Sequence, residues 1–125
     1  MDRSNQDVVY SEYMIENLHT FQKTYDFVVW LYHLLNRLPR NHRPILGHQI
    51  HTLALAILVS VIEANTERDI DVRRVIQHKI SRDLDTLRIL IRLTKDVRLM
   101  SVKQYTFAVE KMNEIARLLQ GWMRA

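Results

Sequence analysis

Arg88 and Arg92 stand one helical turn apart in the stretch LRILIRLTKD, residues 87 to 96. Wound at roughly 100° per residue, they share one side of a helix with Arg74, His78, Arg82 and Lys95. Asp85 interrupts the strip, and an apolar stripe runs beside it. Helical arginines can each engage backbone phosphate oxygens, so the strip fits a polyanion. The same strip also fits a solvated face whose cations pair with Asp85 and its neighbours. A second cationic group lies in LNRLPRNHRPILG, residues 35 to 47. Arg40 and Arg43 there precede a helix whose first turn is partially positive, which mildly disfavours cations. They either reach water from an ordinary loop or help hold an anion at that helix N-terminus.

Other candidate chemistry is weaker. His48 and His51 are three apart with His42 nearby, but no third ligand stands at a metal-binding spacing, so no metal is expected. Glu110 with Glu114, or Asp83 with Asp85, could pose as paired carboxylates. The Glu-x-x-His signature of di-iron bundles is missing, as are a phosphate loop, a nucleophile elbow and a Rossmann glycine pattern. No enzyme and no cofactor are expected. Trp30 and Trp122 could stack on bases, but bundle core or a subunit interface is the better reading.

The elements that must position these residues are helical. Only two glycines and two prolines occur, and 47% of residues are hydrophobic, which implies long helices and short loops. The reading is one domain over 1–125, with helices at about 19–38, 44–64, 72–97 and 101–123. Residues 1–18 form an extension or the start of the first helix. That helix shows an apolar seam of Met14, Leu18, Phe21, Tyr25, Val28, Tyr32 and Leu35, ended by Pro39. Pro44 suits the first position of the second helix. Leu46, Ile50, Leu53, Ala54, Ile57 and Val61 mark one face of it, and Leu55, Leu58, Val59 and Ile62 a second. A helix apolar on most sides is buried on most sides, so the second face implies an oligomer. Asp71 is the candidate cap of the third helix, whose core stripe is Ile76, Ile80, Leu84, Leu87, Leu90 and Ile91. SVKQ, 101 to 104, reads as a capping box opening the fourth. Four antiparallel helices with short loops make an all-α, up-down four-helix bundle.

Charge is unevenly placed. Residues 1–70 hold six Lys/Arg and eight Asp/Glu, whereas residues 71–125 hold twelve and six. Such asymmetry favours a polyanion partner. There is no cysteine, hence no disulfide and no thiolate metal site. The N-terminal stretch lacks a signal-peptide core, and the apolar run 53–62 is too short to cross a bilayer. A soluble protein with no membrane role is expected.

Five stretches then carry a resemblance. QKTYDFVVWLYHLLNRLPRNHRPILGHQI, IEAN, LDTLRILIRLTKD, MSVKQY and EIARLLQGWMRA resemble the Avd accessory proteins of diversity-generating retroelements. That group lies within a wider family of small four-helix bundles, which includes proteins encoded in intervening sequences of 23S ribosomal RNA genes. The resemblance covers about residues 22 to 124. It implies a homopentameric barrel of bundles in the cytoplasm of a bacterial, archaeal or phage-infected cell. It implies a reverse transcriptase of the same element as partner, with template-repeat RNA or its mutagenic cDNA bound. It implies no catalytic residue of its own. Arg88 and Arg92 match the family's paired arginines, and Arg40 and Arg43 match its basic turn. Arg73, Arg74, Arg82, Lys95 and Arg98 join the candidate set from the charge map, and Leu55, Leu58, Val59, Ile62, Trp30 and Trp122 form the candidate interface. The family's end often reads Gly-Gly-Trp, whereas Gln120 precedes Gly121 and Trp122 here, and no basic run follows the fourth helix. The competing readings are an RNA-contacting bundle of the ribosomal-insert type without a polymerase partner, and a purely structural oligomer.

Overall fold

The computed structural model describes the backbone of residues 3–125 and the side chains of residues 18–125. Four helices follow one another: α1 (Arg3–Leu35), α2 (His48–Thr66), α3 (Ile70–Asp96) and α4 (Val102–Arg124). Among the described residues there is no strand. Each helix packs on its two neighbours in the cycle α1, α2, α3, α4, which is the up-down arrangement of a four-helix bundle. Met14 of the expected first seam lies outside the described side chains.

Local chemistry sets the ends. α1 closes with two tight i to i−3 bonds, Arg37 N–H to Leu34 O and Leu38 N–H to Leu35 O, just ahead of Pro39. The chain re-enters helix through a single π turn, Arg43–Gly47, closed by Gly47 N–H donating to His42 O at 3.1 Å. Pro44 sits in that turn, so the helical stretch starts beside it as expected, one residue earlier. The cap of α3 is Asp69, not Asp71: its carboxylate accepts from Asp71 N–H and Val72 N–H, and α3 starts at Ile70. Aspartates two apart both fit the sequence pattern, and the extended backbone at Asp69 decides between them. The α4 capping box is formed, with Gln104 N–H donating to Ser101 Oγ and Ser101 N–H donating to Gln104 Oε1.

The core is built from Leu31, Leu35, Ile50, Ile57, Val61, Ile80, Leu84, Leu87, Ile91, Met112, Ile115, Leu119 and Trp122, with smaller side chains between. On α1 the expected seam is corrected. Val28 and Leu35 of that seam are buried and Phe21 is partly buried, but Leu18, Tyr25 and Tyr32 are exposed, and Thr20, Thr24, Phe27, Leu31 and Leu34, with Leu38 just past the helix, complete the inward face. Two threonines disguise that face. The hydroxyl of Thr24 donates to Thr20 O at 2.7 Å, so it is satisfied inside its own helix and can be buried at little cost.

The expectation about membrane spans also shifts. Counted as a whole, Arg43–Thr66 is long and apolar enough to cross a bilayer, although its unbroken apolar run is not. Here one face of it packs into the core, with Ile50, Ala54, Ile57, Val61 and Ala64 buried, and about a third of its apolar window is buried in all. Gly121 lies in the last turn of α4, and a Cβ added there meets nothing within 4 Å. Gly121→Ala is therefore expected to stabilise the bundle by about 0.5–1 kcal/mol, read by thermal unfolding.

Candidate functional site

The structure divides the predicted cations among four places. Arg88 and Lys95 reach α4 from the α3 side of the α3–α4 groove, and Arg92 stands one turn from Arg88, mostly exposed. Arg88 donates from Nη1 to Asn113 Oδ1 across the groove at 2.7 Å and lies 3.9 Å from Asp85. Lys95 sits over the Tyr105 ring at 4.6 Å and pairs with Asp96 at 3.2 Å. Arg92 pairs with Asp96 at 3.7 Å and is the most exposed of the three. The guanidinium pair is thus half-anchored, with Arg88 pinned against α4 and Arg92 largely in solvent. These ion pairs are exposed and contribute little stability, so they can be exchanged for phosphate oxygens.

Arg40, Arg43 and Arg98 lie in the two turns at one end of the bundle. Arg43 is part of the local architecture, because its Nε donates to Leu38 O at 2.6 Å and satisfies a carbonyl at the end of α1. That bond gives Arg43 a role which the sequence pattern alone did not show. Arg73 and Arg74 occupy the start of α3 at the opposite end, and Arg82 lies midway along the outer face. These positions lie along one side of the unbroken helix α3, with Arg74 and Arg82 toward its start and Arg88, Arg92 and Lys95 toward its end. Asp85 and Asp96 pair with the later cations, Arg88, Arg92 and Lys95.

Three of the four carboxylates considered for catalysis, Glu114, Asp83 and Asp85, are paired with cations. Glu114 is held by Lys23 at 3.2 Å and Lys111 at 3.7 Å, and Asp83 by Lys79 at 3.1 Å. Among the described residues no three His, Asp or Glu side chains converge as a metal set.

A broad apolar face crosses α1 and α2. On α2, Leu55, Val59 and Ile62 are 48%, 52% and 45% exposed, and Leu58 is half-buried against the core. On the neighbouring helix Leu18, Tyr25, Val29 and Tyr32 fall on one outward stripe, and Tyr32 meets His51 edge-on with ring centroids 5.1 Å apart. The α1 members were hidden from sequence reasoning because the same seven-residue spacing fits a core seam. Of the tryptophans, Trp122 is buried in its own bundle and has no surface to offer another copy. Trp30 is half-buried in the α1–α4 seam, stacked against Phe27 and tilted 41° to Phe107 at 4.8 Å.

Burial holds the pKa of His51 below the ordinary 6.5, and His48 one turn away adds repulsion. The folded state therefore binds this proton less readily than the unfolded chain. Its contribution to stability is present above the unfolded value and is lost as pH falls through the lowered one. Unfolding free energy is expected to drop as pH falls below the ordinary histidine value of 6.5, and His51→Gln to flatten part of that slope, as read by urea denaturation.

A family model described as bAvd-like matches residues 18–125. No significant match was found among curated proteins or among solved structures.

Proposed function

Because this chain belongs to the bAvd-like family, we propose that it is a non-catalytic accessory protein of a diversity-generating retroelement. It binds the element's reverse transcriptase and nucleic acid, and supports mutagenic cDNA synthesis from template-repeat RNA. The match over residues 18–125 is the observation that carries this reading, because it covers all of the bundle whose side chains are described. Arg88 and Arg92 are its contact residues in the α3–α4 groove, joined by Lys95 and the more distant Arg73, Arg74 and Arg82. Their exposed ion pairs support the assignment, since carboxylate and phosphate compete for the same guanidinium fork.

The chain assembles with itself, as a pentamer, through the α1–α2 apolar face. Leu55, Val59 and Ile62, with Tyr25, Val29 and Tyr32, are apolar or aromatic side chains left about half exposed on that face, which supports an interface there. In a cyclic assembly each cationic groove is repeated around the axis, which raises the local field beyond that of one copy.

The test is co-expression with the reverse transcriptase encoded nearest the gene, followed by co-purification. cDNA synthesis is then measured on the adjacent repeat RNA with and without this chain. Stable association and protein-dependent cDNA are expected. Arg88→Ala with Arg92→Ala should reduce both while leaving the thermal transition in place. A polymerase indifferent to this chain would reject the accessory role and move the assignment to an RNA-contacting bundle of the ribosomal-insert type.

A further inference from the structure

We propose that the end of the bundle carrying both the α1–α2 and α3–α4 turns is a docking surface for a nucleic-acid phosphate backbone. The proposal rests on the nucleic-acid part of the function above and names a surface that adjoins the Arg88–Arg92 groove but extends beyond it to Arg37, Arg40, Arg98 and Lys103. Three contacts show that the two turns share one end. Tyr32 meets His51, Trp30 meets Phe107, and Lys95 lies over Tyr105, so the late parts of α1 and α3 adjoin the early parts of α2 and α4.

Residues 33–48 and 92–103 together carry seven Lys/Arg and one carboxylate, Asp96. Arg92 and Lys95 share Asp96, and Arg43 is held by Leu38 O. The other four, Arg37, Arg40, Arg98 and Lys103, are exposed, and among the described residues none has a carboxylate within ion-pair distance.

Local physics does not account for these residues. Lys103 stands in the first turn of α4, and Arg40 and Arg43 precede α2, where the helix dipole disfavours cations. Arg98 is the one described non-glycine residue with left-handed backbone, at φ 66°. Its N–H donates to Lys95 O and that of Leu99 to Thr94 O, which makes Arg98 the C′ residue of a Schellman turn. Glycine is strongly favoured at C′ because a side chain there is strained. Lys95 already serves the helix dipole at that end. An arginine kept against backbone preference, on an end face rich in unpaired cations, is explained by an external anion.

Guanidinium forks suit phosphate oxygens. Exposed Ile45, Val97 and Val102 give a sugar or base something to lie against, but they include no aromatic anchor of the kind that centres protein interfaces.

The experiment measures binding of the full chain to a fluorescein-labelled single-stranded RNA by anisotropy across a KCl series. It is paired with thermal melts. Arg98→Gly is expected to melt about 2–4 °C higher, because the turn is relieved, and yet to bind RNA more weakly. Adding Arg40→Ala and Lys103→Ala should make the log–log salt slope shallower by about 0.7 per removed contact. A more stable Arg98→Gly that binds with wild-type slope, together with a triple variant that also does, would overturn the proposal. If Arg88→Ala with Arg92→Ala then abolishes binding, the nucleic-acid role stands and belongs to the groove. Absence of salt-dependent binding by the unaltered chain would sink both. Normal RNA binding by the triple variant with loss of the reverse transcriptase would make the end face an acidic-protein surface and reject the proposal.

Discussion

Leu55→Glu with Val59→Glu is expected to leave the chain a folded monomer. Both side chains point out of the bundle and are about half exposed, so neither substitution removes core packing. In an assembled ring the same positions would bury two carboxylates per copy, and an unpaired buried charge costs several kcal/mol. The effect is therefore all-or-none on assembly and small on helicity. Sedimentation or light scattering reads the mass, and circular dichroism reads the fold. A variant that stays at the mass of the unaltered chain would place the interface elsewhere. An unaltered chain that is itself monomeric would remove the oligomer from the proposal.

Leu31→Ala, made in that monomeric background, is expected to lose about 3 kcal/mol, because it empties a core site that cannot fully collapse. For a bundle of this size the melting temperature should fall by roughly 10 °C. Tyr25→Ala in the same background should cost much less. Leu31 is 1% exposed and Tyr25 46%. The pair tests which face of α1 is inside. Equal losses at the two positions would mean that α1 is rotated from the face described above. The monomeric background matters, because an oligomer's apparent stability depends on its concentration.

Arg88 and Arg92 show how much of the candidate site could be read one-dimensionally. Their four-residue spacing places them on one helical side with no further information. Whether they are available to a ligand depends on Asn113, Asp85 and Asp96, and Asn113 is 25 residues away in sequence. Arg37 and Lys103 were missed entirely. The signal that could have found them is topological: in an up-down bundle the first and third turns lie at one end, so their charges add.

Sequence by itself determined the helical class, the number of helices, the α4 capping box and the family. Each of these depends on residues close together along the chain or on an ordered set of local motifs. Only the tertiary structure decided how far round α1 the buried side extends, because Thr20 and Thr24 are polar by type yet buried, the Thr24 hydroxyl donating within its own helix. Only it separated Trp122 in the core from Leu55, Val59 and Ile62 outside, because all four are apolar at helical spacing and burial depends on which neighbour each faces. And only it gathered Arg37, Arg40, Arg98 and Lys103 at one end, because antiparallel packing brings together two turns that the chain holds about sixty residues apart.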